Sequence, residues 1–235
     1  MMEEVRPEEA INLLLQMKKQ GDTQYADRTK WNELYITALT EDGRREEAME
    51  KAILAFSVQC DSRFYRLYTK AAGQANDNTP IFLRISEEKG IVARLCFASD
   101  IERLDLVNSC ITATKKEELV QALPHLTSSF IRTLSSTLYK HGYALGATLL
   151  RQILVEESIN RAQTKYYSYA ASDMKKAIDY SEGLKESTQF EGTENYLRGL
   201  YALHYRKISL WPLMAKKIRG LSVGKDGIHY ERNVV

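Results

Sequence analysis

The residues that could do chemistry in this chain are scattered along it. Its four histidines are His125, His141, His204 and His229. No two stand three or four positions apart, and no His-Glu-x-x-His run occurs, whereas a zinc site needs several ligands at short spacing. Cys60, Cys96 and Cys110 are odd in number and far apart, with no Cys-x-x-Cys pair. They lie in apolar helical contexts, where a free thiol behaves as a small hydrophobe. That usage argues against a disulfide framework and for a reducing cytoplasm. There is no Gly-x-Ser-x-Gly elbow and no glycine-rich phosphate loop. The Gly-Lys within "GLSVGKDG" has no strand before it and no helix after it. The sequence therefore leads us to expect no metal, no cofactor and no enzymatic activity.

Paired carboxylates occur at Glu3–Glu4, Glu8–Glu9, Glu46–Glu47, Glu87–Glu88, Glu117–Glu118 and Glu156–Glu157. Most fall in first helical turns, where acids suit the helix dipole. Glu157 is four residues before Arg161, a spacing that pairs them on one helix face. His141 beside Gly142 suits a helix end.

One stretch is different. From Asn195 to Lys225 the chain carries Arg198, Arg206, Lys207, Lys216, Lys217, Arg219 and Lys225, and no acid. The first 59 residues hold twelve acids against eight bases. Tyr196, Tyr201, Tyr205 and Trp211 interleave with the cations, and "RAQTKYYSY" upstream adds Arg161, Lys165, Tyr166, Tyr167 and Tyr169. Cations with aromatic faces grip an acidic protein segment, or track a nucleic-acid backbone while bases stack. The candidate contact residues are Arg206 and Lys207 for charge, Arg161 and Lys165 beside them, and Tyr166, Tyr169 and His204 lining a groove. A second account treats Leu197, Leu200, Tyr201, His204 and Tyr205 as a core stripe, with Arg198, Arg206 and Lys207 on a solvated face.

The elements that must position these residues read as helices almost throughout. The chain has 235 residues, 44% hydrophobic and 27% charged, with a net charge of +2, four prolines and twelve glycines. That is the usage of a globular protein, and too few turn residues for an all-β fold. "PEEAINLLLQMKKQG" opens with Pro7 and two acids and closes with lysines and Gly21, the order the dipole favours. Asp22 is a candidate cap for the next helix and Asp61 for a later one. Trp31-Leu34-Tyr35-Ala38 and Phe64-Leu67-Tyr68-Ala71 are the same pattern shifted by 33 residues, a helical-repeat period. These residues, with "GRREEAMEKAILAF" between them, resemble the two helices of a tetratricopeptide repeat. Ser99 with Glu102, and Thr114 with Glu117, have capping-box spacing. Pro124 should bend or end its helix.

"LLRQILVEESINRAQTKYYSYAASDMKKAIDY" and "ENYLRGLYALHYRKISLWPLM" resemble the C-terminal helices of a bacterial family of uncharacterised helical-repeat proteins. Similar helices occur beside SWIM-type zinc fingers, whose Cys-x-Cys and Cys-x-His motifs this chain lacks. The resemblance implies an α-solenoid and no assigned activity.

The expectation is thus an all-α protein of antiparallel helix pairs, forming an irregular tetratricopeptide-like α-solenoid. Its parts would be repeats over 1–75, a helical array over 76–222 after the polar break "QANDNTP", and a flexible tail over 223–235. The acidic opening "MMEEVRPEEA" is unlike a secretory signal, and no stretch approaches the ~20 apolar residues that span a bilayer. A cytoplasmic interaction module follows, adaptor or scaffold, with an acidic protein partner. Nucleic-acid binding is the second reading and a cryptic enzyme the third and weakest, while head-to-tail self-association between oppositely charged ends is a variant of the first.

Overall fold

A computed structural model describes residues 6–19, 25–73, 78–188, 190–224 and 226–231. Among them are thirteen α-helices, two single turns of 3₁₀ helix and one two-stranded sheet, an all-α class. The chain divides into two compact units, Met1–Ile101 and Glu102–Val235.

The first unit contains α1 (Pro7–Lys19), α2 (Tyr25–Glu41), α3 (Arg45–Gln59), α4 (Ser62–Ala72), α5 (Thr79–Glu88) and α6 (Ile91–Asp100). Each of α1 to α3 packs on its successor, and α2 also reaches α4. The repeated pattern supplies the core: Trp31, Tyr35 and Ala38, and Phe64, Tyr68 and Ala71, are buried, whereas Leu34 is exposed. Ala48, Ala52 and Ala55 line the buried side of α3, and their small size lets neighbouring helices approach. Trp31 Nε1 donates to the Leu14 carbonyl at 2.8 Å and ties α2 to α1. Asp61 caps α4 as expected, accepting from the Arg63 amide at 2.9 Å. Gly21 and Asp22 lie outside the described residues.

The expected boundary at 75/76 is corrected. Residues 74–77 lie outside the described residues, but α5 and α6 bring Phe82 and Phe97 edge-on to Phe56, with ring centroids 4.8 and 4.9 Å away. They complete the first core, so the division falls at Ile101/Glu102. A polar stretch shows where the chain leaves a surface, not which core the next helix joins. The Ser99–Glu102 capping box is also absent. Ser99 lies inside α6, and Glu102 takes a left-handed φ of 58° in the turn that follows.

The second unit contains α7 (Leu104–Ala113), α8 (Lys116–Ala122), α9 (Ser128–Lys140), α10 (Ala144–Asn160), α11 (Tyr167–Tyr180), α12 (Thr193–His204) and α13 (Leu210–Lys217), then β1 (Leu221–Gly224) and β2 (Gly227–Tyr230). Helix α10 is its axis, packed by α7, α8, α9 and α11 and buried continuously from Gly146 to Val155. Gly146 permits the α7 contact, since a Cβ there would stand 2.5 Å from Asn108 Oδ1. Thr114 does not cap α8; its hydroxyl donates back to the Cys110 carbonyl at 2.7 Å and closes α7. Pro124 ends α8 in a 3₁₀ turn, and His141 is the C-cap of α9, with Nδ1 2.8 Å from the Thr137 carbonyl.

The flexible tail expected from 223 is corrected too. Leu221 pairs with Tyr230 and Gly224 with Gly227 in an antiparallel hairpin. Gly227, at φ 116°, lets the chain turn, and buried Leu221 with Ile228 and Tyr230 packs on the core of α11 to α13. Residues 225 and 232–235 lie outside the described residues.

Candidate functional site

Polar chemistry is densest where α9, α10 and α11 meet. Asp173 of α11 is 2% exposed. It accepts from Arg132 of α9 through Nε and Nη2, the latter at 2.7 Å, and from Arg151 Nη1 of α10 at 2.7 Å. Arg151 also donates to Ser135 Oγ, Ser136 Oγ and the Arg132 carbonyl at 3.0, 3.0 and 3.1 Å. Tyr180 closes the set, its hydroxyl 3.2 Å from Ser136 Oγ and its ring under Arg151. Asp173 raises the pKa of Arg132. Guanidinium and carboxylate are consumed by one another, so this cluster acts as a lock between three helices. Sequence reasoning missed it, because 22 residues and a change of helix separate Arg151 from Asp173.

The lock holds α10 and α11 in place, and six of the seven expected contact residues gather near the end of α10. Arg161 is the C-cap of that helix and pairs with Glu157, as the i, i+4 spacing predicts. Arg161 and Lys165 each stand 5.0 Å from the Tyr166 ring centroid. Arg161 first, then Lys165, lowers the Tyr166 phenol below its ordinary pKa. Lys207 crosses from the α12–α13 connection and donates to the Ile159 carbonyl at 3.2 Å, a cation on the negative end of α10. His204 ends α12, half-buried, and burial and then Lys207 depress its pKa. Arg206 is exposed and donates to the Tyr205 hydroxyl at 3.0 Å. Tyr169 is the residue not brought in: it is exposed and lies against Arg132 at 5.4 Å, beside the lock.

The core-stripe account is right in part. Tyr196, Leu197 and Leu200 are buried, but Tyr205 is exposed, and Arg198 pairs with Glu194 at 2.6 Å. More telling is what flanks Arg206 and Lys207 in the chain. Leu203 is 78% exposed and Ile208 83% exposed. Ile208 was hidden in the sequence, since Tyr205 and Trp211 stand three residues to either side of it in helical register. Leu203 was hidden by its i+3 spacing from Leu200, because α12 ends one residue later. Leu203 also edges a hollow of about 500 Å³ lined by Lys116, Val120, Glu156, Tyr196 and Leu200. Its floor is already paired: Lys116 Nζ lies 2.8 Å from Glu156, and the Tyr196 hydroxyl 3.2 Å from both Glu156 and the Gln152 carbonyl. Burial, then Glu156, holds the Tyr196 phenol well above its ordinary pKa.

Among the described residues no three His, Cys, Asp or Glu side chains converge as metal ligands, and no helix is long and apolar enough to cross a membrane. Burial raises the Cys60 and Cys96 thiols, away from the thiolate form a nucleophile needs.

Searches among curated proteins and among solved structures find no significant match. A family model described as a family of unknown function, DUF6880, matches residues 1–213, spanning both units and stopping inside α13. The chain belongs to this family of unknown function, DUF6880.

Proposed function

We propose that this protein is a non-enzymatic interaction module, an adaptor or scaffold acting in the cytoplasm, that docks an acidic protein segment carrying an apolar anchor. The observation that carries the reading is the pair Leu203 and Ile208, both mostly exposed, with Arg206 and Lys207 between them in the chain. Among the described residues, Lys165, Arg206 and Lys207 contact tyrosine rings, a phenol and a backbone carbonyl rather than acids. Exposed apolar side chains next to such charge in the chain favour a partner that covers the first and neutralises the second. We read the successive packing of α1 to α4 as tetratricopeptide-like stacking, an architecture whose usual work is protein contact.

The test is a pull-down from native extract with paired variants, treated with nuclease or not. Leu203→Ser with Ile208→Ser, and Lys165→Glu with Arg206→Glu, should each abolish capture of one and the same protein that survives nuclease. These side chains are exposed or half-buried and none belongs to the buried core, so the fold should persist. Capture indifferent to both variants refutes the reading.

Nucleic acid is the second reading, favoured by the stack of Arg161 and Lys165 on Tyr166. It predicts material lost on nuclease treatment, with affinity falling steeply as salt rises.

A further inference from the structure

A second surface, on the first unit, has no part in that reading. Between α1, α2 and α3 lies a groove of about 330 Å³. Its wall includes Leu15, Leu54 and Val58, with Leu54 61% and Val58 63% exposed. Trp31 and Tyr35 stack at the groove with centroids 4.8 Å apart. Among the described residues the charged groups lining it are Lys18, Arg28 and Lys51, with no acid. Among the described residues none of the three has an acidic side chain at ion-pair distance; Lys18 instead lies 4.9 Å over the Trp31 ring. This runs against the local composition, since the first 59 residues hold twelve acids and eight bases. Two acids of α2 and α3 are engaged with other groups: Glu33 with Lys30 and Arg63, Glu47 with Arg44 and Tyr35. Gln59 also lines the groove, and Thr29 Oγ1 donates to its Oε1 at 2.9 Å, which leaves the amide nitrogen to donate.

We propose that this groove is a second docking site, independent of the C-terminal surface, whose occupant is an acidic, leucine-bearing segment of another protein. Apolar side chains of the segment sit on Leu54 and Val58, its carboxylates meet Lys18, Arg28 and Lys51, and Gln59 donates to its backbone. Charge complementarity selects the occupant. A basic segment would meet three like charges, and a purely apolar one would leave them desolvated.

Fluorescence anisotropy with a short labelled Glu/Leu peptide tests this, against a Lys/Leu peptide of the same length and a labelled uridine oligonucleotide. The Glu/Leu peptide should bind at least ~10-fold more tightly than either, and should change Trp31 emission. Lys18→Glu with Arg28→Glu, and separately Leu54→Ser with Val58→Ser, should each weaken it ~10-fold. Lys165→Glu with Arg206→Glu, which removes binding at the C-terminal surface, should still leave a binding step that Lys18→Glu with Arg28→Glu abolishes, so failure here and failure of the C-terminal surface are read separately. No binding, equal binding of the two peptides, or tighter binding of the oligonucleotide overturns the proposal. So does loss of binding only with Lys165→Glu and Arg206→Glu, which would move the acidic preference to the C-terminal surface. Sedimentation completes the test: a dimer that Lys18→Glu with Arg28→Glu dissolves would make the occupant a second copy, and would also overturn it.

Discussion

Arg151 and Asp173 face each other at 2.7 Å inside the second unit, each with no more than a tenth of its side chain exposed. Arg132 completes a two-to-one arrangement on the same carboxylate. Removing the carboxylate leaves two guanidinium groups together, one of them buried, so Asp173→Ala should cost about 3–5 kcal/mol. Arg132→Ala should cost less, because that side chain is one-third exposed and Arg151 remains to pair the acid. Urea unfolding of the three proteins measures both. A cost for Asp173→Ala within about 1 kcal/mol of zero would remove the lock from the account of how α9, α10 and α11 are held.

Ala162 follows Arg161 at φ 53°, an exposed non-glycine residue in left-handed backbone. That conformation costs an L-residue about 1–2 kcal/mol, and glycine avoids it while giving back part through its freer unfolded chain. Ala162→Gly should therefore stabilise by about 0.5–1 kcal/mol, seen as a higher urea midpoint at unchanged slope. A destabilised variant would mean that the Ala162 methyl makes a contact outweighing its strain.

Asp61 links the turn after α3 to the start of α4, accepting from the Arg63 amide and pairing with its guanidinium at 2.6 Å. Arg63 and then its own burial act in opposite senses, and the net pKa is lowered. A depressed carboxylate stabilises the fold above its unfolded pKa of ~3.9, and this is lost as pH falls through the lower folded value. Asp61→Ala should cost about 1 kcal/mol at neutral pH, mostly the helix cap since the ion pair is solvent-exposed. As pH falls through the folded value the difference between the two proteins should shrink to the part that the protonated Asp61 carboxyl still caps. A pH-independent difference would assign the loss to packing.

Local periodicity was legible in the sequence wherever one side of a helix faces a core. Trp31, Tyr35 and Ala38 recur at Phe64, Tyr68 and Ala71 because the same burial recurs. Asp61, Pro124, His141 and the Glu157–Arg161 pair were legible because each acts within one turn of its own helix. Features that depend on where a distant helix lands were not. Phe82 and Phe97 close the first core across the polar break, and Asp173 meets Arg151 only through the packing of α11 on α10. The hairpin is a different case, since two short runs flanking Lys225-Asp226, with Gly227 next, are a hairpin signature. At the candidate surface, the cations and Tyr166 were found from composition, but Leu203 and Ile208 required knowing that α12 stops at His204.

His204 supplies the pH test of that surface. Burial is the larger cause of its lowered pKa and Lys207 the second, with Glu156 opposing both. A histidine whose folded pKa lies below its unfolded ~6.5 binds protons less readily in the native state. Its contribution to stability is fully present above ~6.5 and is lost as pH falls through the folded value. Melting temperature should therefore decline from about pH 6.5 downward, with a shallower decline in His204→Gln. Lys207→Met should move the His204 midpoint, followed by its imidazole proton resonances, only part of the way back up, because burial remains. An acidic partner docked beside Leu203 should raise the same midpoint by favouring the imidazolium, so that binding tightens as pH falls through it. A midpoint that an acidic ligand leaves in place would put the docked carboxylates elsewhere than beside His204.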